Sequence, residues 1–246
     1  MRLALITDVH GNREALEAVL EHAQAQGCAR CAFLGDFVGY GADPGWVVDR
    51  VKGLVAEGAL AVRGNHDAGV AEAPAATMVP LARQVVEWTR AQLSAAQLDF
   101  LQSLPLAHEE GELLFVHANA FAPGRWEYIV SRHDAARSLH ATRRVYTFCG
   151  HVHEPRLYHL AGRHCGDFLP HPGMPVPVPP HRRWLALPGS AGQPRDGNPA
   201  ACYAVFESDE PTLTFHRVPY DHETAARKIL AAGLPEVLAH RLSDGR

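Results

Sequence analysis

The chain has 246 residues, with 23 Lys and Arg against 27 Asp and Glu, a formal net charge of −4, 47% apolar residues and 20% charged ones. This length and balance fit an ordinary globular protein with a sizeable core, and the lack of a basic excess leaves no footprint for nucleic acid, although basic residues gather locally at 137–144 and 181–183. No apolar run approaches the ~18 residues of a spanning helix, and MRLALITDVHG is not a secretory signal, so no membrane partner and a cytoplasmic location are expected.

In chain order, RLALIT (2–7) reads as a buried strand because its apolar residues do not alternate with polar ones. Residues 13–26 carry Leu16, Val19, Leu20 and Ala23 at helical spacing, and Gly27 stops that helix. A short apolar strand follows at 31–35. Asp43 and Pro44 then supply an N-cap and first residue for a helix over 44–58, and 59–64 is a third strand. The middle of the chain is helical, over 79–93 and then over 95–104, where Ser94 and Gln97 form a capping box. Strands follow at 113–117, 144–149, 156–160, 184–188, 201–206 and 212–218. A helix over 221–233 closes the core, and the last dozen residues are expected to fray.

Five cysteines, an odd number without tight spacing, make no disulfide framework, and Cys28 with Cys31 lacks the further ligands of a zinc site. PHPGMPVPVPPH (170–181) is too proline-rich for an interior strand. It reads as part of an extended surface excursion at about 165–182, which could shape the mouth of a site. No repeat or linker divides the chain, so residues 1–246 read as a single α/β domain with helices outside and sheets inside.

Polar residues sit immediately after the strands. The first strand is followed by Asp8 and His10, the second by Gly35 and Asp36, and the third by Gly64, Asn65, His66 and Asp67. The strand at 113–117 ends in His117, and 144–149 leads into Gly150, His151, Val152 and His153. With 16 histidines in the chain, about one His-x-His pair is expected by chance, so the last pair alone means little. Five strand ends that each deliver Asp, His or Asn are another matter, because ligand sites of α/β sheets form at that edge.

Taken in order, Asp8-x-His10, Gly35-Asp36, Gly64-Asn65-His66-Asp67, His117 and Gly150-His151-x-His153 resemble the five motifs of the calcineurin-like metallophosphoesterase superfamily. The resemblance implies a four-layer αββα sandwich, with two mixed β-sheets inside and a metal site at the strand C-terminal ends. It also implies two divalent cations, one held by Asp8, His10, Asp36 and His153 and the other by Asp36, Asn65, His117 and His151. Such a centre hydrolyses a phosphodiester or phosphomonoester, a nucleotide among the candidates, by attack of a metal-bridging hydroxide. The run GDFVGYGADP (35–44) departs from the Gly-Asp-x-x-Asp-Arg-Gly form of protein Ser/Thr phosphatases, which points away from a phosphoprotein substrate. Residues 188–200 are similar to a segment of small bacterial members, some described as related to dinucleotide tetraphosphatases.

The chemistry is consistent with that ligand set. A carboxylate has two oxygens, so Asp36 can serve two cations, and Asn65 offers a neutral oxygen. Two divalent ions against Asp8 and Asp36 leave a charge of about +2 to hold hydroxide and phosphate. Imidazole with oxygen ligands suits Mn, Fe, Co, Ni or Zn better than Mg or Ca. By the resemblance, His66 faces the leaving group as acid or as charge stabiliser, and Asp67 orients its imidazole. Arg195, in the glycine-rich 189–197 stretch, and His133 are further candidates for substrate contact. The competing functions are a metal-binding scaffold without turnover that serves a protein partner, and a nuclease, which the net charge disfavours.

Overall fold

The structure is a computed structural model and describes residues 1–72 and 80–246. Side-chain alternation along the strands sorts the core. In β1 (Arg2–Ile6), Leu3 and Leu5 face one buried layer while Ala4 and Ile6 face another. Asn12 caps α1 (Arg13–Ala25) by accepting the Ala15 N–H at 3.1 Å, and the helix turns Ala15, Leu16, Val19 and Ala23 inward. After β2 (Arg30–Phe33), α2 (Pro44–Ala56) begins with proline at its first position. Asp43 precedes it without capping it through its side chain, because its carboxylate instead meets Lys228 Nζ at 2.8 Å.

The third strand is shorter than expected: β3 is only Leu60–Ala61, and Asn65 already opens α3 (Asn65–Glu72). α4 (Pro80–Ala91) lies where a helix from residue 79 was expected, although Val79 itself falls outside the described residues. α5 (Ala95–Ser103) carries the expected capping box of Ser94 and Gln97. β4 (Ala107–Glu110), which the sequence did not announce, pairs antiparallel with β5 (Leu113–Val116). α6 (Arg132–His140), β6 (Tyr146–Phe148) and β7 (Pro155–Ala161) follow, then β8 (His164–Phe168) and β9 (Pro175–Pro177).

The proline-rich stretch is therefore partly built into the fold. β9 forms an edge of one sheet against the seven-residue strand Thr212–Val218, and the next residue, Val178, is fully buried. An edge strand needs no full ladder of N–H donors, which is why prolines are tolerated there. β10 (Arg183–Pro188), β11 (Ala201–Glu207), β12 (Thr212–Val218) and α7 (His222–Ala231) come next. The expected frayed tail is a helix, α8 (Glu236–Asp244), which buries Leu238, Ala239 and Leu242 against α7 and α4.

Two six-stranded mixed sheets result, with orders β3-β2-β1-β11-β12-β9 and β4-β5-β6-β10-β7-β8. Leu3, Leu5, Phe115, Phe148, Phe206 and Phe215 fill the layer between them. α1, α2 and α5 cover the outer face of the first sheet through Ile6, Leu16, Val47 and Leu101, and α6 covers the second through Leu114, Leu139 and Leu185. The architecture is thus the expected four-layer αββα sandwich. β1, β2 and β3 run parallel to one another, as do β5, β6 and β10, and the loops after these six strands converge on one place. Among the described residues, no helix is long and apolar enough to cross a membrane. All five cysteines are free.

Candidate metal centre

The strand-end loops are laced together before any side chain is considered. The Asp8 N–H donates to the Gly35 carbonyl at 3.0 Å, His10 N–H to Asp36 O at 2.9 Å, and Gly150 N–H to His117 O at 2.8 Å. Glycines allow this approach: a Cβ on Gly150 would collide with the Thr7 hydroxyl and the Asp8 carboxylate, and one on Gly64 with Asp36. Seven non-glycine residues among those described have positive φ, and five of them are Asp8, His10, Asp36, His151 and His153. Such backbone is costly for a residue with a Cβ and persists where its surroundings impose it, commonly at functional sites.

The histidine rings are fixed by backbone carbonyls. Nδ1 donates to Val38 O in His10 (3.1 Å), to Leu34 O in His117 (2.7 Å) and to Gln193 O in His153 (2.6 Å). His151 is turned the other way, with Nε2 donating to Trp126 O at 2.9 Å. A carbonyl can only accept, so in each ring the opposite nitrogen is the one left for the cluster. The consequence is plain between His10 and His153, whose Nε2 atoms lie 3.1 Å apart. Burial lowers both imidazoles well below their usual range, so two lone pairs face each other with no proton to share. A cation resolves that confrontation, and the donor set fits one.

Asp8, His10 and His153 present ligand atoms within 4.8 Å of one another, and so do Asp36, His117 and His151. Asn65 Oδ1 joins the second group, 3.1 Å from His117 Nε2. Burial lowers His151 to about 4, with the neighbouring His117 adding to the effect. His117 behaves differently: burial lowers it, but Asp36 and Asp8 outweigh burial and raise it to about 9. A positive charge is thus already favoured at His117 Nε2, which lies 3.3 Å from Asp36 Oδ2. Burial, supplemented by the charge of Asp36, raises Asp8 to about 7, although the His117 charge opposes it. Burial also pushes Asp36 up, yet His117, His66 and His10 together hold it well below the carboxylate range.

The two oxygens of Asp36 have separate tasks. Oδ1 accepts the His66 backbone N–H at 2.9 Å, whereas Oδ2 alone faces both His117 Nε2 and His10 Nε2, the latter at 3.7 Å. Oδ2 is thus the Asp36 oxygen that stands between the two groups.

His66 is half-buried, its ring edge-on to His10 (centroids 4.9 Å) and to Tyr40 (4.5 Å). Its Nδ1 is buried against Gly39 without a hydrogen-bond partner, which leaves Nε2 as the nitrogen able to donate. Asp67 does not orient this ring. Its carboxylate accepts backbone N–H groups from Asp36 (2.8 Å), Phe37 (2.8 Å), Val38 (3.3 Å) and Gly64 (2.9 Å), so both oxygens are spent on the turns that carry Asp36 and Asn65. Burial and the Asp36 charge push the Asp67 carboxyl up to about 7, against those four donors, which favour the anion. Asp67→Asn would turn an amide NH₂ towards two of the N–H groups. The expected loss is about 2–4 kcal/mol of stability, measurable as a lower denaturant midpoint at unchanged slope.

Arg195 lies at the rim, its guanidinium held by Gln193 Oε1 at 2.9 Å and 5.7 Å from the Tyr40 ring centre. His133 is exposed on the first turn of α6, beside the Arg132–Asp167 pair, and no hydrogen bond or ring contact ties it to the cluster residues. Sequence reading missed Tyr40, Trp126, Tyr128 and Gln193. The aromatics in GYG (39–41) and RWEY (125–128), each close behind a motif, were the available signal.

The calcineurin-like phosphoesterase superfamily domain matches residues 1–211. A protein of Methanocaldococcus jannaschii, described as uncharacterised, is 35% identical over 249 residues, which cover 99% of this chain and 98% of that protein. A metallophosphoesterase from Sphaerobacter thermophilus, a solved structure, is 37% identical with a TM-score of 0.89, covering 100% of this chain and 99% of that one. A hypothetical protein from Pyrococcus horikoshii OT3 has the same fold, with a TM-score of 0.79 at 18% identity over 100% of this chain and 98% of that one.

Proposed function

The chain belongs to the calcineurin-like phosphoesterase superfamily, and from that membership we propose that it is a hydrolase of small phosphate esters working with two cations. The observation that supports this reading best is the convergence of inward-facing imidazole nitrogens with Asp8 and Asp36 on one buried cluster. In this reading Asp8, His10, Asp36 and His153 hold one cation, and Asp36, Asn65, His117 and His151 the other. Imidazole and oxygen donors without cysteine fit Mn, Fe, Co, Ni or Zn. When bound, such ions supply Lewis acidity towards a phosphoryl oxygen and lower the pKa of a water to near neutrality.

The chain's own residues do the rest. Arg195, restrained by Gln193, meets the charge of the phosphoryl oxygens. His66 presents Nε2 to the leaving oxygen and passes it a proton as the ester bond breaks. Asp67 holds the turns on which Asp36 and Asn65 depend. Away from the site, three arginines of the local basic segments are already engaged: Arg137 with Glu127, Arg144 with Glu109, and Arg183 with the Leu139 and Thr142 carbonyls. A continuous track for a nucleic-acid backbone therefore has no support there.

The test is nitrophenol release from mono- and bis-nitrophenyl phosphate by protein loaded in turn with Mn, Fe, Co, Ni and Zn. Release with at least one metal, abolished by a chelator, is expected. Metal uptake without release under any of them would overturn the hydrolase and leave a metal-binding scaffold.

A further inference from the structure

The aromatic residues around the cluster exceed what ligand positioning requires. The Tyr128 ring lies parallel to the His151 imidazole, with centroids 3.9 Å apart and an interplanar angle of 13°, yet the residue is 51% exposed. One face of the ring is thus seated on a candidate ligand and the other is open. Positioning His151 does not call for that ring, because Trp126 O already accepts its Nε2 proton.

The backbone shows that this arrangement is imposed. Beyond the five site residues, the described non-glycine residues with positive φ are Tyr40 (64°) and Trp126 (57°). Trp126 sits in the turn that aims its carbonyl at His151 and delivers Tyr128 two residues later. Tyr40 sits in the loop after β2, with its ring 4.5 Å from the His10 and His66 rings and beneath the Arg195 guanidinium. Strained backbone is thus used on both loops to present an aromatic side chain beside the cluster.

We propose that Tyr128 is a specificity residue, whose open face stacks on a planar ring carried by the phosphoester substrate. An aromatic face held by a neighbouring imidazole is already ordered, so stacking on it costs little side-chain entropy. The shared chemistry is a phosphoryl group joined to a flat ring, either a nucleobase reached through ribose or an aryl group esterified directly. The inference rests on the phosphoesterase reading above, because it uses the same centre to hold the phosphoryl group.

The experiment measures binding, not turnover, by calorimetric titration of metal-loaded protein. Phenylphosphonate is compared with methylphosphonate, and the analogue of adenosine 5′-monophosphate whose ester oxygen is replaced by CH₂ with the same analogue of ribose 5-phosphate, so that each ligand has a C–P bond that does not hydrolyse. The ring-bearing member of at least one pair should bind about tenfold tighter or more. Tyr128→Leu, which still covers His151, should reduce that ratio to near one, and Tyr128→Phe should preserve it. An advantage in the phenyl pair alone identifies a direct aryl ester, and one in the adenosine pair alone identifies a nucleotide. Equal affinities within both pairs, or a ratio that survives in Tyr128→Leu, would overturn the stacking role while leaving the phosphoesterase intact. If none of the four ligands binds, the phosphoesterase reading falls and takes this inference with it.

Discussion

Asp36→Asn is expected to leave the protein folded with at most one equivalent of bound metal and with turnover reduced about 10³-fold or more. The reason lies in the unequal duties of the two carboxylate oxygens. Oδ1 accepts the His66 N–H, and Oδ2 faces His117 and His10 together. An asparagine amide keeps one oxygen. If that oxygen stays towards the imidazoles, the NH₂ confronts the His66 N–H; if the amide flips, the NH₂ points at the cation positions. Neither orientation serves both sides. The substitution also removes one of only two carboxylates in the ligand set, in a place where Asp36 is ionised throughout the neutral range. Losing several kcal/mol of charge stabilisation corresponds to about three powers of ten in rate, since 1.36 kcal/mol is tenfold. Elemental analysis after desalting checks the metal, and circular dichroism checks the fold. Two full equivalents of metal in the variant would refute the shared-oxygen role.

His66→Gln should separate chemistry from metal binding. The ring touches His10 and Tyr40 edge-on, its Nδ1 is shut against Gly39, and Nε2 remains available to a leaving oxygen. Removing a proton donor of this kind is expected to lower kcat about 10²–10³-fold while KM changes little and both metals stay bound. The size of the loss should depend on the leaving group. A nitrophenolate departs with little help, whereas an alkoxide needs its proton, so an alkyl phosphate ester should suffer more than a nitrophenyl ester. His66 also offers a ligand atom within 4.8 Å of those of His10 and Asp36, which supplies a clear rival. Loss of metal in His66→Gln, with equal rate losses for both leaving groups, would make His66 a ligand and not an acid.

Local pattern carried much of the architecture because local physics governs it. β1 and β5 are short apolar runs, and alternate residues in each do face different buried layers. Asn12 and the Ser94–Gln97 pair are helix starts whose hydrogen bonds span only three residues. α3 was illegible because Gly69 interrupts a helix of only eight residues, whose support comes from burying Val70 and Ala71. β9 was hidden by its prolines, since only its pairing with β12 makes residues 175–177 a strand. α8 was missed because its apolar residues find their partners on α4 and α7.

By itself, the sequence determined the longer helices and the apolar strands, the motif residues that follow five of those strands, and the kind of metal chemistry those residue types allow. Each depends on side-chain identity and on neighbours within a few positions. The tertiary structure decided which atoms face the site. Leu34, Val38, Trp126 and Gln193 lend the carbonyls that turn His117, His10, His151 and His153, and each of these carbonyls lies at least 25 residues away in the chain. No spacing rule says which ring nitrogen such a carbonyl will claim. The same holds for Asp67, spent on four backbone N–H groups. A hydrogen-bond donor or acceptor can be read from a sequence, but its partner exists only once distant strands have been brought side by side.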